Sequence, residues 1–223
     1  MKHLYFFCTV IKHPPLGIVL IATVFICILL GVKADRDIII FINNNSQYFY
    51  VDIFRIITTA GDATFWLLFA SAGIIFCIYI RRTQYLVPYH PKLKIYLLQL
   101  TFITSTWLLS GVIHHFIKIV LGRYRPRYLF SDNWYGINPL NFNIAHNSFP
   151  SGHTQTIFAI TIGLTLLYPR LGIFLVPLAI LVGISRVVLI AHYPSDVLFG
   201  AYLGIATAIL VKRYYFDKRM LFQ

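Results

Sequence analysis

Six apolar runs, at about residues 15–32, 63–80, 95–117, 154–168, 171–190 and 197–211, are set apart by short polar stretches in a chain of 223 residues. A helix of about 18 residues or more crosses the ~30 Å hydrocarbon layer of a bilayer, and inside that layer only helices and closed barrels satisfy every backbone polar group. The runs therefore predict an all-α fold, a polytopic membrane bundle of about six transmembrane helices, the fourth of them short. Composition agrees, with 58% of residues hydrophobic and 12% charged, against roughly a quarter charged in soluble domains. The length suits a single domain over residues 1–223, and no linker, internal repeat or low-complexity tract divides it.

A net charge of +12 does not point to nucleic acid, because nucleic-acid binders carry their basic groups on a solvated face and here those groups lie between apolar runs. Much of the excess obeys the positive-inside rule. Lys2, Lys12, Arg81, Arg82, Lys92, Lys94, Arg170, Lys212, Arg213, Lys218 and Arg219 all fall on one side of the expected topology. That side is then cytoplasmic, and both termini lie inside. Residues 1–34 imitate a secretory signal, but the run from 16 to 32 exceeds the ~7–15 residue core of such a signal, so an uncleaved first helix is expected. Cys8, Cys27 and Cys77 lack metal-ligand spacing and read as small apolar fillers.

Lys118, Arg123, Arg125 and Arg127 break the topology rule, because they crowd the opposite side at the start of a long outer loop, residues 118–152. They need an anionic partner there. In this first cluster Lys118 offers a point charge and Arg125 a planar fork, both suited to phosphate oxygens. Gly122 lets the chain turn after the third run, and Pro126 ends any helix before it. Alone, the stretch could equally anchor the protein to anionic lipid. The loop's aromatics, Tyr124, Tyr128, Trp134 and Tyr135, suit the headgroup layer.

Two more clusters reach the same face. Pro150-Ser151-Gly152-His153 stands before the fourth run, where a tight turn and the free N–H groups of a helix start make an anion site, with His153 at its mouth or serving as a cap. Ser185-Arg186, His192 and Asp196 join the fifth and sixth runs. In one unbroken helix Arg186 and His192 would point about 240° apart. Pro194 is expected to end the fifth helix and let His192 return toward Arg186, while Asp196 accepts the other imidazole N–H as in hydrolytic triads. A plain surface pair at i, i+4 is the alternative.

Together the three clusters resemble the signature motifs of the type 2 phosphatidic acid phosphatase superfamily, which also holds bacterial acid phosphatases and vanadium-dependent haloperoxidases. The motifs lie within 118–196, and the plan of about six spans is similar to the membrane-bound lipid phosphatase branch. The resemblance implies that His192 attacks phosphorus to form a phosphohistidine, that Asp196 orients it, and that His153 acts as general acid. It implies phosphate binding by Lys118, Arg125, Ser151, Gly152 and Arg186, with no metal and no cofactor. The implied substrate is a phosphorylated lipid at the periplasmic face of a bacterial inner membrane. Undecaprenyl pyrophosphate comes first by family frequency, then lipid A, for which Arg123 and Arg127 add cations, then phosphatidylglycerol phosphate and phosphatidic acid. A lipid phosphotransferase with the same intermediate and a non-catalytic anion transporter are the alternatives, although no repeat supports transport. Among other polar residues, His114 and His115 are expected to be structural. Asp62 reads as a helix cap or a substrate contact, Asp35, Arg36 and Asp37 as a solvated loop, and His146 has no evident partner.

Overall fold

A computed structural model describes residues 15–45, 48–82 and 90–216, which are helical almost throughout, with two isolated backbone bridges as the extended pairing among them. Lys2, Cys8, Lys12, Lys218 and Arg219 lie outside the described residues, as do the side chains of Cys77, Arg81, Lys92 and Lys94. In chain order the helices are α1 (Leu16–Lys33), α2 (Asp35–Asn45), α3 (Tyr48–Thr59), α4 (Ala63–Arg82) and α5 (His90–Leu121). They continue with a short α6 (Pro126–Ser131), α7 (Gly152–Leu167), α8 (Gly172–Val188) and α9 (Pro194–Val211).

Among the described residues five stretches are long and apolar enough to cross a membrane: Leu16–Lys33, Val51–Phe76, Ile95–Leu121, Pro169–Val188 and Pro194–Tyr214. The sixth, α7, has 16 residues, as short as its sequence run suggests. The chain is a multi-pass membrane protein. Side chains such as Phe25, Leu68, Phe116 and Phe174 project outward from the bundle, as expected where the surrounding solvent is hydrocarbon.

The core forms around α7, which packs against α5, α8 and α9 and buries ten of its residues, from Thr154 to Thr165. Lipid is as apolar as leucine, so helices in a bilayer associate by close packing and hydrogen bonds, and the residues of α7 supply both. Gly200 and Gly204 let the α9 backbone touch α7. A Cβ at 200 would stand 2.6 Å from the Ser151 carbonyl, and one at 204 would stand 2.7 Å from Gln155 O and Ala159 N. On the α5 side, Gln155 Nε2 donates to Ser110 Oγ at 2.5 Å and Trp107 Nε1 to Thr156 Oγ1 at 3.3 Å.

The alternating direction of these helices brings the C-termini of α5 and α8 and the N-termini of α7 and α9 to one end of the bundle. At the far end Lys212 Nζ donates to Leu166 O at 3.0 Å, beside Arg170. At 1.5 Å per residue, α7 holds the two ends roughly 24 Å apart.

One expectation for the loops is corrected and another is extended. The segment after the first span is helix α2, and Asp35 is fully buried at its start. The long outer segment contains α6, for which Pro126 is the first residue. Proline lacks an N–H that the first turn would leave unpaired in any case, so Pro126 opens a helix here.

Candidate active site

Each cluster is delivered by a helix end. Lys118, in the last turn of α5, is nearly buried and donates no hydrogen bond to any described residue. Gly122 follows with φ +58°, a left-handed conformation that glycine adopts without penalty, and the chain turns there as its sequence suggests. Beyond the turn, Arg125 is held at its amide by His146 O at 3.0 Å and at Nε by Asn147 O at 3.1 Å. Its two terminal nitrogens have no partner among the described residues. Burial, then the neighbouring Arg127, lowers the pKa of Arg125 below the ordinary arginine value.

The Pro150 to His153 turn sits between two of these helices. His114 Nε2 lies 3.0 Å from Pro150 O, so this buried histidine supports the turn from behind. His115 is exposed and meets the His114 ring edge to face. The Ser151 amide donates to Asp196 O at 3.0 Å, which fastens the start of α7 to the start of α9. Ser151 Oγ accepts from Thr154 Oγ1 at 2.9 Å, leaving its own proton to donate. The first N–H groups of any helix lack intrahelical acceptors, and no described side chain caps those of α7.

The return of His192 toward Arg186 happens earlier than proline predicts. Helix α8 closes when the amides of Ala191 and His192 both donate to Arg186 O, at 3.0 and 3.1 Å. Ile190 makes the reversal at φ +54°, an outlier for a β-branched residue. Pro194 then starts α9, and Asp196 in its first turn accepts the Tyr193 amide at 2.8 Å. Arg186 Nη1 donates to Thr58 Oγ1 at 2.7 Å, and its buried Nε has no partner among the described residues. An open cavity of about 530 Å³ lies beside it, walled by Val51, Arg55 and residues 188–191.

His192 and Asp196 do not touch directly. Nδ1 stands 3.6 Å from Asp196 Oδ2, and Ser148 Oγ lies between, 3.2 Å from Nδ1 and 2.5 Å from Oδ2. The carboxylate can only accept, so the one hydroxyl proton goes to Asp196 and the serine lone pair receives Nδ1–H. His192 is thereby held as the Nδ1–H tautomer, with the Nε2 lone pair unengaged among the described residues. Burial keeps its pKa well below the ordinary imidazole value, with Lys118 and Arg125 adding to that against the pull of Asp196. Ser148 escaped sequence reading because a serine two residues before Pro150 has no signature of its own.

Arg123 also departs from expectation. It is spent inside the protein on Asp35 and Asp196, each at 2.8 Å, and does not face a headgroup. Arg127 donates to Tyr128 Oη and Ala145 O. Asp62 is a cap, accepting the Thr64 amide at 2.8 Å. His146 pairs with Asn143 at 3.2 Å and packs on Tyr128. The aromatic group of the outer loop is real, with Trp134 between Tyr124 and Tyr128.

The pattern of the PAP2 superfamily matches residues 99–220, a segment that holds all three clusters. The chain belongs to the PAP2 superfamily. A lipid A 1-phosphatase of Rhizobium johnstonii is 32% identical over 167 residues, which cover 71% of this chain and 67% of that protein. Among solved structures, a transmembrane PAP2-type phosphatidylglycerolphosphate phosphatase from Bacillus subtilis shares the fold with a TM-score of 0.61 at 24% identity, over 92% of this chain and 96% of that one. Aquifex aeolicus LpxE does so with a TM-score of 0.53 at 24% identity, over 83% and 99%. Asp35 lies outside the segment that carries the PAP2 pattern.

Proposed function

We propose that this PAP2-type membrane lipid phosphatase cleaves a phosphate from a lipid headgroup through a phosphohistidine on His192, and that residues 1–223 act as one catalytic unit. The observation that carries this reading is the Ser148 hydroxyl set between His192 Nδ1 and Asp196 Oδ2. A proton that stays on Nδ1, donated to Ser148 Oγ while the serine donates its own to Asp196, leaves Nε2 as the nucleophile, and the nearby carboxylate offsets the positive charge that appears when Nε2 bonds to phosphorus. Lys118, the terminal nitrogens of Arg125, Arg186, the Ser151 hydroxyl and the first amides of α7, beginning with Gly152, hold the three equatorial oxygens, where the charge of a transferring phosphoryl group resides. His153 gives its proton to the departing lipid oxygen. It then takes one from the water that attacks the phosphohistidine, which releases inorganic phosphate and restores His192.

The chemistry sits at the periplasmic face of a bacterial inner membrane. Arg170, Lys212 and Arg213 at the opposite end of the bundle support this under the positive-inside rule. For the lipid we place a lipid A phosphate ahead of undecaprenyl pyrophosphate, because the Rhizobium johnstonii relative extends over most of the chain. Arg123 is paired inside the protein with Asp35 and Asp196, so of the two cations expected to meet a lipid A headgroup it is the exposed Arg127 that remains available. The cavity beside Arg186, with Arg55 at its rim and apolar walls, suits an amphiphile whose tails stay in the bilayer.

Purified protein in detergent micelles, given lipid A, undecaprenyl pyrophosphate, phosphatidylglycerol phosphate and phosphatidic acid in turn with a chelator present, should release phosphate fastest from lipid A. His192→Ala should release none, and wild-type protein alone should trap an acid-labile phosphoryl label. Turnover by His192→Ala comparable to wild type would refute the covalent mechanism.

A further inference from the structure

Asp196 is the near end of a buried chain of charges that begins outside the matched PAP2 segment. Its Oδ1 accepts Arg123 Nη1 at 2.8 Å, and Arg123 Nη2 donates to Asp35 Oδ2 at 2.8 Å. Asp35 also accepts the Ser195 hydroxyl at Oδ2 and the Ser195 amide at Oδ1, the latter at 3.2 Å, while Arg123 Nη1 donates to Ser195 Oγ at 2.6 Å. Both carboxylates are fully buried and the Arg123 side chain is 11% exposed. Its guanidinium lies 4.2 Å over the Tyr193 ring. The end of α1 is seated on the same group, since Tyr135 Oη donates to Gly31 O at 2.7 Å and Cys27 Sγ to Ser195 O at 3.4 Å. Burial would weaken the hold of Arg123 on its proton, but Asp196 and Asp35 more than reverse this and raise its pKa above the ordinary arginine value.

The charges do not cancel. Two carboxylates and one guanidinium sum to −1. Were Arg123 and Asp196 alone, they would form a neutral pair, and nothing would remain to balance the cation that forms on His192. Asp35 restores the missing negative charge while sharing the guanidinium, so Asp196 keeps its own. We propose that Asp35 is a positioning residue for catalysis, acting through Arg123 to keep Asp196 oriented and effectively anionic behind Ser148 and His192. This rests on the reading of His192 as nucleophile. The charged groups that face His192 are Asp196 from α9, Lys118 from α5 and Arg125 from the outer loop. Tyr193, Tyr135 and Cys27 are the titratable neighbours of the Arg123 group.

The test removes the two charges in turn, read with lipid A in detergent micelles. Asp35→Asn keeps the size of the side chain and removes the charge. It should lower kcat about tenfold or more and leave KM within about twofold, since Asp35 touches no phosphate ligand. It should also move the acid limb of the kcat–pH profile downward, because His192 becomes harder to protonate. The double variant Asp35→Asn with Arg123→Gln returns the local sum to −1, so its acid limb should move back toward that of wild type. A purely structural role predicts the opposite, a double variant worse than either single one with no movement of the limb. Should Asp35→Asn fail to fold, the double variant decides by the position of its limb. Wild-type kcat and pH profile in Asp35→Asn, with His192→Ala dead, would overturn the role of Asp35 and leave the nucleophile standing. An active His192→Ala would instead overturn the reading beneath it.

Discussion

Ser148→Ala removes the one atom that joins the nucleophile to its carboxylate. Without the hydroxyl, Nδ1 and Oδ2 face each other across 3.6 Å, beyond the usual reach of an N–H donor. A hydrogen bond to a charged group contributes about 1.5–3 kcal/mol. At about 1.36 kcal/mol per tenfold, the loss corresponds to a kcat about 10- to 150-fold lower, toward the smaller figure if the imidazole shifts to meet Asp196. KM should hardly change, because Ser148 contacts no group assigned to phosphate. Phosphate release measured over a range of lipid concentrations separates the two quantities, and thermal unfolding in the same detergent shows whether the bundle is intact. Ser148→Thr keeps a hydroxyl and should recover much of the loss. An unchanged kcat in Ser148→Ala would refute the relay. A loss as complete as that of His192→Ala, in a protein that unfolds at wild-type temperature, would mean that Ser148 does more than hold a proton.

Three further outcomes follow from the geometry. His153→Ala should cripple release from an alkyl phosphate yet spare an activated aryl phosphate, whose leaving anion has no need of the ~10²–10⁴-fold that a general acid contributes; equal losses on both would make His153 a phosphate ligand. The folded-state pKa of His192 lies below its unfolded value of about 6.5, so below that pH the unfolded chain takes up a proton that the folded one refuses. Stability should therefore fall as pH drops through about 6.5, by at most ~1.36 kcal/mol per pH unit from this residue, and unfolding curves of His192→Ala should show a shallower slope. Gly204→Ala places a methyl against the backbone of α7 and should cost about 1–3 kcal/mol of stability with kcat largely retained, whereas Gly200→Ala, pressing on Ser151 O, should lower both.

The helices and the polar clusters are legible in the sequence because each is local. An apolar run reports its own length, and Gly122 or Pro150 reports a turn within a few residues. The partnerships behind the clusters are not local. Asp35 meets Arg123 from 88 positions away and Ser195 from 160, and in sequence it looks like any acid beside a lysine and an arginine at the end of a span. Arg123 reads as one more cation in a basic stretch, and only the packing of α1 on α9 turns it inward. The bend at Ile190 was hidden for another reason. Propensity assigns left-handed turns to glycine or asparagine, so the nearby Pro194 attracts the reading although the chain has already reversed before it.

Four helix ends meet at the site, and the partial charge each carries has a consequence for the empty enzyme. The C-termini of α5 and α8 are negative poles, and Lys118 and Arg186 occupy their last turns. The N-terminus of α9 is a positive pole with Asp196 in its first turn. Each pairing of pole and side chain contributes about 0.3–1 kcal/mol when exposed and up to about 2 when partly buried, so the backbone itself tempers the repulsion among the crowded cations. The remaining pole, the start of α7, has no acidic residue in its first turn. Under the reading proposed above, the phosphate of the lipid supplies that fourth counter-charge, and product release returns the same pole to water.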